Sequence, residues 1–251
     1  MSTNQTKLNE LYQKMDPIQW RQELEKEITN QSDRAIAIIV ASILEIQLKD
    51  ILKQFMIKEK DIDKDLFEGN SALSNFSSKI KACYYLGLIS QDEYKNLDRI
   101  RKIRNMFAHQ IINISFENNQ SINDTCQNLY ISKNRYMPKN IPFSGNDGEL
   151  PKLNLDPFTV DNSPKNKFVE VFHYLSTNFL LRVADLQMEG YREKYEIKKS
   201  IADEFREKKE KILRLKEQIE EQEAGPYIQE FMRVIDMYDY IADVLENSYD
   251  K

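Results

Sequence analysis

RAIAIIVASILEIQLKDILKQFM, residues 34–56, is apolar on most of its faces and holds neither glycine nor proline. A strand seldom exceeds about ten residues, so a largely apolar stretch of this length, unbroken by glycine or proline, reads as a helix packed among other helices. Ile36, Val40, Ile43, Ile46 and Leu48 are its candidates for burial. Glu45 falls in the middle of the run, where a carboxylate must either reach water or find a partner.

The flanking sequence repeats the helical theme. Asp16-Pro17 pairs a capping residue with a first-turn proline, and Ile18, Trp20, Leu24 and Ile28 follow at helical spacing on an otherwise polar outer helix. Downstream, Gly69-Asn70 supplies a turn, Ser71 or Ser74 a helix cap, and a further core helix is expected to end near Gly87. Ser90 then caps QDEYKNLDRIRKIRNMFAH, with Glu93 completing a capping box and Tyr94, Leu97, Ile100, Ile103 and Phe107 forming the apolar stripe.

Five of the seven prolines lie between Tyr136 and Pro164, which ends regular helix there. Helix resumes at Ser163-Pro164, with Phe168, Val171, Phe172, Leu175, Phe179, Leu180, Val183 and Leu186 on a wide apolar face. Residues 191–223 carry ten basic and ten acidic residues around a thin seam of Ile201, Phe205, Ile212, Leu215 and Ile219. After Ala224-Gly225-Pro226, the residues Ile228, Phe231, Ile235, Tyr238, Ala242 and Leu245 mark a second helix of an antiparallel hairpin. The expected fold is therefore all-α: an outer helix over 1–30, a helical core over 31–135, a Pro/Gly-rich connector over 136–163, a core helix over 164–190 and a coiled-coil arm over 191–251.

Composition agrees. Only six glycines occur among 251 residues, which disfavours a turn-rich β architecture. The net charge of −5 gives no global attraction to nucleic acid, so any such contact requires a local basic patch. No secretory or membrane-spanning run is evident, and a cytoplasmic protein is expected. Cys83 and Cys126, with His109 and His173, are too widely spaced for a zinc pattern, and no metal or cofactor is expected. Cys83 sits in an apolar setting as a small buried hydrophobe, and His173 as a packed or surface residue. Tyr191, Tyr195, Tyr238, Tyr240 and Tyr249 read as packing at helix interfaces.

Asp33-Arg34-Ala35, Leu66-Phe67-Glu68-Gly69-Asn70, Leu73-Ser74, Phe76-Ser77, Leu86-Gly87-Leu88-Ile89 and Ile100-Arg101-Lys102-Ile103-Arg104-Asn105 with Phe107-Ala108-His109 together resemble the mannitol operon repressor (MtlR) family. The resemblance covers about residues 30–130. It implies an all-helical regulator associated with negative control of transcription, acting through a protein partner because the family lacks an evident DNA-reading motif. This chain agrees, having no helix pair with the short turn and polar recognition face of a helix-turn-helix unit. The long C-terminal arm departs from short family members and implies a further partner or a different assembly; Phe205, Ile212, Leu215, Ile219, Phe231, Ile235 and Tyr238 are its candidate contact residues, and a homodimer is expected.

Arg104, Asn105, three further residues and His109 also resemble the signature of the HEPN superfamily, whose nuclease members cut RNA without metal. In that alternative, a ribonuclease of a toxin or phage-defence system, His109 is general acid or base, Arg104 stabilises the phosphate and Asn105 orients them. Arg99, Arg101 and Lys102 are candidates for phosphate contacts, with a solvated helix face as the plainer reading. A five-residue step rotates about 140° around a helix, so Arg104 must curl round or the helix must end for it to join Asn105 and His109, a need that two copies meeting in a dimer also satisfy. The competing structural reading makes the trio a sealed polar cluster, with Arg104 paired to Glu45, Asn105 capping a backbone group and His109 closing the helix against its dipole. A sealed pocket with Glu45 within hydrogen-bond distance is the expectation. A regulator working through protein contacts is the first functional expectation and the ribonuclease the second.

Overall fold

The computed structural model describes residues 17–110, 114–139, 152–194, 200–218 and 228–249. It divides into two compact units, Met1–Glu193 and Lys194–Lys251.

In the first unit, helix α1 runs over Pro17–Ile28 and buries Trp20, Leu24 and Ile28. Helix α2, Asp33–Phe55, starts where the Ser32 hydroxyl accepts from the Ala35 amide at 3.2 Å, a cap that satisfies one of the free donors of the first turn. Ile36, Val40, Leu44, Leu48 and Ile51 are fully or almost fully enclosed. The helix does not bury every apolar position: Ile46 is 44% exposed and Ile43 half-buried. Ile38, Ser42 and Ile46, at four-residue spacing, form an outward stripe. A run apolar on nearly all sides cannot reveal which face the other helices leave uncovered.

A short π-helix over Asp63–Phe67 and helix α3, Phe76–Tyr85, follow. The α3 cap is Asn75, whose Oδ1 accepts from the Ser78 amide at 2.9 Å, whereas Ser71 instead donates to the carbonyls of Lys64 and Glu68. The helix closes with Gly87 at φ 73°, the Leu88 amide donating to Cys83 O at 2.8 Å and the Gly87 amide to Tyr84 O at 3.0 Å. Only a residue free of Cβ strain enters that left-handed position cheaply. Helix α4, Gln91–His109, has the expected capping box: the Glu93 amide donates to Ser90 Oγ, and the Ser90 amide to Glu93 Oε2 at 2.7 Å. It lies antiparallel to α2, as Arg34 near the start of α2 donates to Gln110 O just beyond the end of α4 at 2.5 Å.

Helices α5, Gln120–Gln127, and α6, Pro164–Glu189, complete the unit. The rings of Phe107, Phe116 and Phe168 stack in series at 5.0 Å, tying α4, the segment before α5, and α6 into one core. No sheet occurs among the described residues; a single bridge joins Ile57 and Arg192. No helix among them is long and apolar enough to cross a membrane. Pro142 and Pro151, and with them much of the connector, lie outside the described residues.

The second unit pairs α7, Ile201–Gln218, with α8, Ile228–Tyr249. Their antiparallel register is set by Arg206 with Asp243 and Glu246, Lys209 with Asp239, and the Phe205 and Tyr238 rings 5.2 Å apart. Ala202, Ile235 and Ala242 are buried and Ile212 half-buried in this seam; the side chains of Leu215, Ile219 and Phe231 lie outside the described residues. Replacing Phe205, Ile212 and Ile235 by serine is expected to abolish the hairpin's helical signal while the thermal transition of the first unit stays in place. Loss of both transitions in calorimetry refutes that independence.

Candidate functional site

Helix α4 turns Ile100, Ile103 and Phe107 into the core, with no exposed surface on any of the three. The opposite side of the same helix therefore faces water, and Arg101, Asn105 and His109, four residues apart, share it. Arg104 and His109 are exposed and Asn105 is half-exposed. Arg104 stands off this face, and its Nη1 donates to Oδ1 of the adjacent Asn105 at 3.1 Å. His109 occupies the last turn, and Gln110 caps the end with its amide on Met106 O.

The sealed cluster is not found. Glu45 pairs with Lys79 of α3 at 2.7 Å, and Lys79 also donates to Ser74 O at 3.1 Å. Lys79 retains only 4% of its side-chain exposure, so the carboxylate that interrupts the apolar run answers a buried ammonium, and Arg104 is left in solvent. Asn105 accepts from Arg104 rather than capping a backbone group. The physical reason is rotational. Glu45 points from α2 toward α3, whereas Arg104 lies near the edge of the wet face of α4.

The expected phosphate contacts divide. Arg101 and Lys102 both hold Asp98, at 2.7 and 2.9 Å, while Arg99 has no ion pair among the described residues. One carboxylate thus stands against four cations, Arg99, Arg101, Lys102 and Arg104, and the surface retains a basic patch on an acidic protein. Cys83 and Cys126 are fully buried, and burial pushes both thiols up to about 12, which removes them as nucleophiles. No group of His, Cys, Asp and Glu fit to hold a metal occurs among the described residues. Tyr238 packs as expected, but Tyr191 and Tyr240 are 43% and 70% exposed and seal no interface within their units; Tyr195 and the Tyr249 side chain lie outside the described residues.

A second polar constellation escaped the sequence reading. Arg21 of α1, 3% exposed, holds Glu170 of α6 at 2.9 Å and donates to Met137 O at 2.8 Å; the Tyr136 hydroxyl donates to the same Glu170 oxygen at 2.7 Å. One turn along, His173 is fully enclosed with Nε2 3.1 Å from Glu25 Oε2, near but poorly aligned for a hydrogen bond, and Lys139 pairs with the same carboxylate. Trp20 Nε1 donates to Ser176 Oγ at 2.7 Å and Gln47 Nε2 to the same atom at 2.9 Å. The signal was the pairing of Arg21 with Glu25 at i,i+4 and of Glu170 with His173 at i,i+3, each lost within an apolar stripe.

This network fixes a pH dependence. The neighbouring His173, and after it Lys139, hold the Glu25 carboxyl down at about 2. Burial lowers the His173 imidazole below its ordinary 6.5. Both groups bind protons more readily when unfolded, so both contribute stability that is present at neutral pH and lost on acidification. The melting temperature is expected to fall as pH drops below 6.5 through His173, and again from 4.5 toward 2 through Glu25. A His173→Gln variant whose melting profile keeps the first step refutes the assignment.

Comparison with known proteins yields no match to any family model, curated protein or solved structure.

Proposed function

We propose that the exposed end of α4 is a metal-independent RNA-cleaving centre of the HEPN type. The observation that supports this most is the Arg104–Asn105 hydrogen bond at the solvent-facing end of the helix that also carries the exposed His109.

In the proposed reaction His109 removes the proton from a ribose 2′-OH, whose oxygen attacks the adjacent phosphorus. The bond from phosphorus to the 5′ oxygen breaks, and the leaving oxygen takes a proton. The products are a 2′,3′-cyclic phosphate and a 5′-hydroxyl. Arg104 stabilises the charge gathering on the phosphate, Asn105 fixes Arg104, and Arg99 with Arg101 and Lys102 supports the backbone. A second copy supplies the second His109 as acid. The outward stripe of Ile38, Ser42 and Ile46 on the helix antiparallel to α4 offers an apolar surface for that pairing. Incubation of the full chain with single-stranded RNA in chelator tests the reading: fragments ending in cyclic phosphate are expected, and intact RNA at every protein concentration refutes it.

A second reading, the MtlR-like regulator that acts through protein contacts, draws on the other unit. Met237, Tyr240 and Val244 of α8 are 49%, 70% and 46% exposed and share a face away from the seam. An apolar row of this kind suits a protein partner. Under this reading RNA stays intact, and removing the row by Tyr240→Lys and Val244→Lys abolishes the regulatory effect in cells.

A further inference from the structure

Where α2 ends, the chain leaves an apolar cavity of about 500 Å³, within the range of small-molecule sites. Phe55, Met56, Ile62, Leu66 and Leu86 line it, and the π-helix over Asp63–Phe67 forms part of its wall. A π-turn is an uncommon distortion that recurs at functional sites, and here it presents Asp65 and Leu66 to the cavity. Leu86 remains 45% exposed, so the cavity is open to ligands of modest size.

Among the described residues on this lining, Arg192 is the one cation. Its guanidinium lies 4.0 Å from the centroid of the Phe55 ring, and among the described residues it forms no hydrogen bond or ion pair. An arginine stacked on an aromatic ring keeps its donor edge available for a carboxylate, which it grips in bidentate fashion. Its backbone is anchored as well, through the bridge to Ile57. Asp65, also on the described lining, is acidic and disfavours ligands of several negative charges such as nucleotides and polyphosphates, which favours a single anionic group on an apolar body.

From this geometry we infer that the cavity binds a small amphipathic monocarboxylate, its chain among Phe55, Ile62, Leu66 and Leu86 and its carboxylate on Arg192. The site is separate from the α4 residues and stands whether or not RNA is cleaved.

Decanoate serves as the probe, titrated into the full chain by calorimetry beside decanol and decyltrimethylammonium. Saturable one-to-one binding of decanoate is expected, with decanol and the cation each weaker by about tenfold, the worth of one charge-assisted bond. Arg192→Met is expected to lower decanoate affinity by about tenfold and leave decanol unchanged; Leu86→Trp, at a half-exposed position that tolerates bulk, is expected to block both. The inference is overturned if decanoate fails to saturate wild type, if the cation binds best, or if Arg192→Met binds decanoate as wild type does. Circular dichroism of each variant separates lost binding from lost fold.

Discussion

His109→Ala is expected to slow RNA cleavage by at least about a hundredfold while leaving thermal unfolding unchanged. The two halves of that result have one cause. His109 is exposed in the last turn of α4, so its truncation removes a proton-transfer group without opening a cavity. Arg104→Ala is expected to match it in the cleavage assay, because charge developing on the phosphate loses its stabiliser. Asn105→Ala is expected to have a smaller effect, since Asn105 acts by positioning Arg104 through the 3.1 Å hydrogen bond. Raising the salt concentration weakens RNA binding by all variants, as backbone contacts by Arg99 and its neighbours are displaced by counterions. If His109→Ala cleaves as fast as wild type, the fragments come from another source and the proposed centre fails.

The largest expected stability effect lies elsewhere. Arg21→Ala is expected to destabilise the first unit by about 3 kcal/mol, measured by urea unfolding. Arg21 is 3% exposed and its partner Glu170 13%, so truncation strands a carboxylate in a largely dry site with only the Tyr136 hydroxyl left to it. The guanidinium also stacks 5.6 Å from the Tyr136 ring centroid, and that packing is lost with the charge. The double variant with Glu170→Gln is expected to recover part of the loss, because the stranded charge is gone. A change within about 0.5 kcal/mol for Arg21→Ala, typical of a surface residue, contradicts the buried latch.

Helix by helix, the chain announces itself. Ser32, Ser90 and Ser163 each accept from an amide three residues on, and Gly87 closes α3, all within one or two turns of the residues they serve. Such signals are legible because caps and stripes involve near neighbours whose spacing the backbone fixes. The same local logic misled where apolar residues surround a helix, as at Ile46, and where two capping serines precede an asparagine that does the capping, as at Asn75.

The trio at the end of α4 was visible as residue types, but its setting was not. Glu45 and Arg104 are fifty-nine positions apart in sequence, and whether they meet depends on how far α2 and α4 are rotated about their own axes once packed. The fold instead delivered Lys79 to Glu45, left Arg104 to Asn105, and joined Arg21 and Glu25 to Glu170 and His173 across about 150 positions. By itself the sequence determined an all-helical chain, the bounds of most helices and their caps, because these depend on spacing within a turn or two. Tertiary structure alone decided which charges are buried together and which stand in water, because a side chain's partner is chosen by the rotation and crossing of whole helices, which no local period encodes.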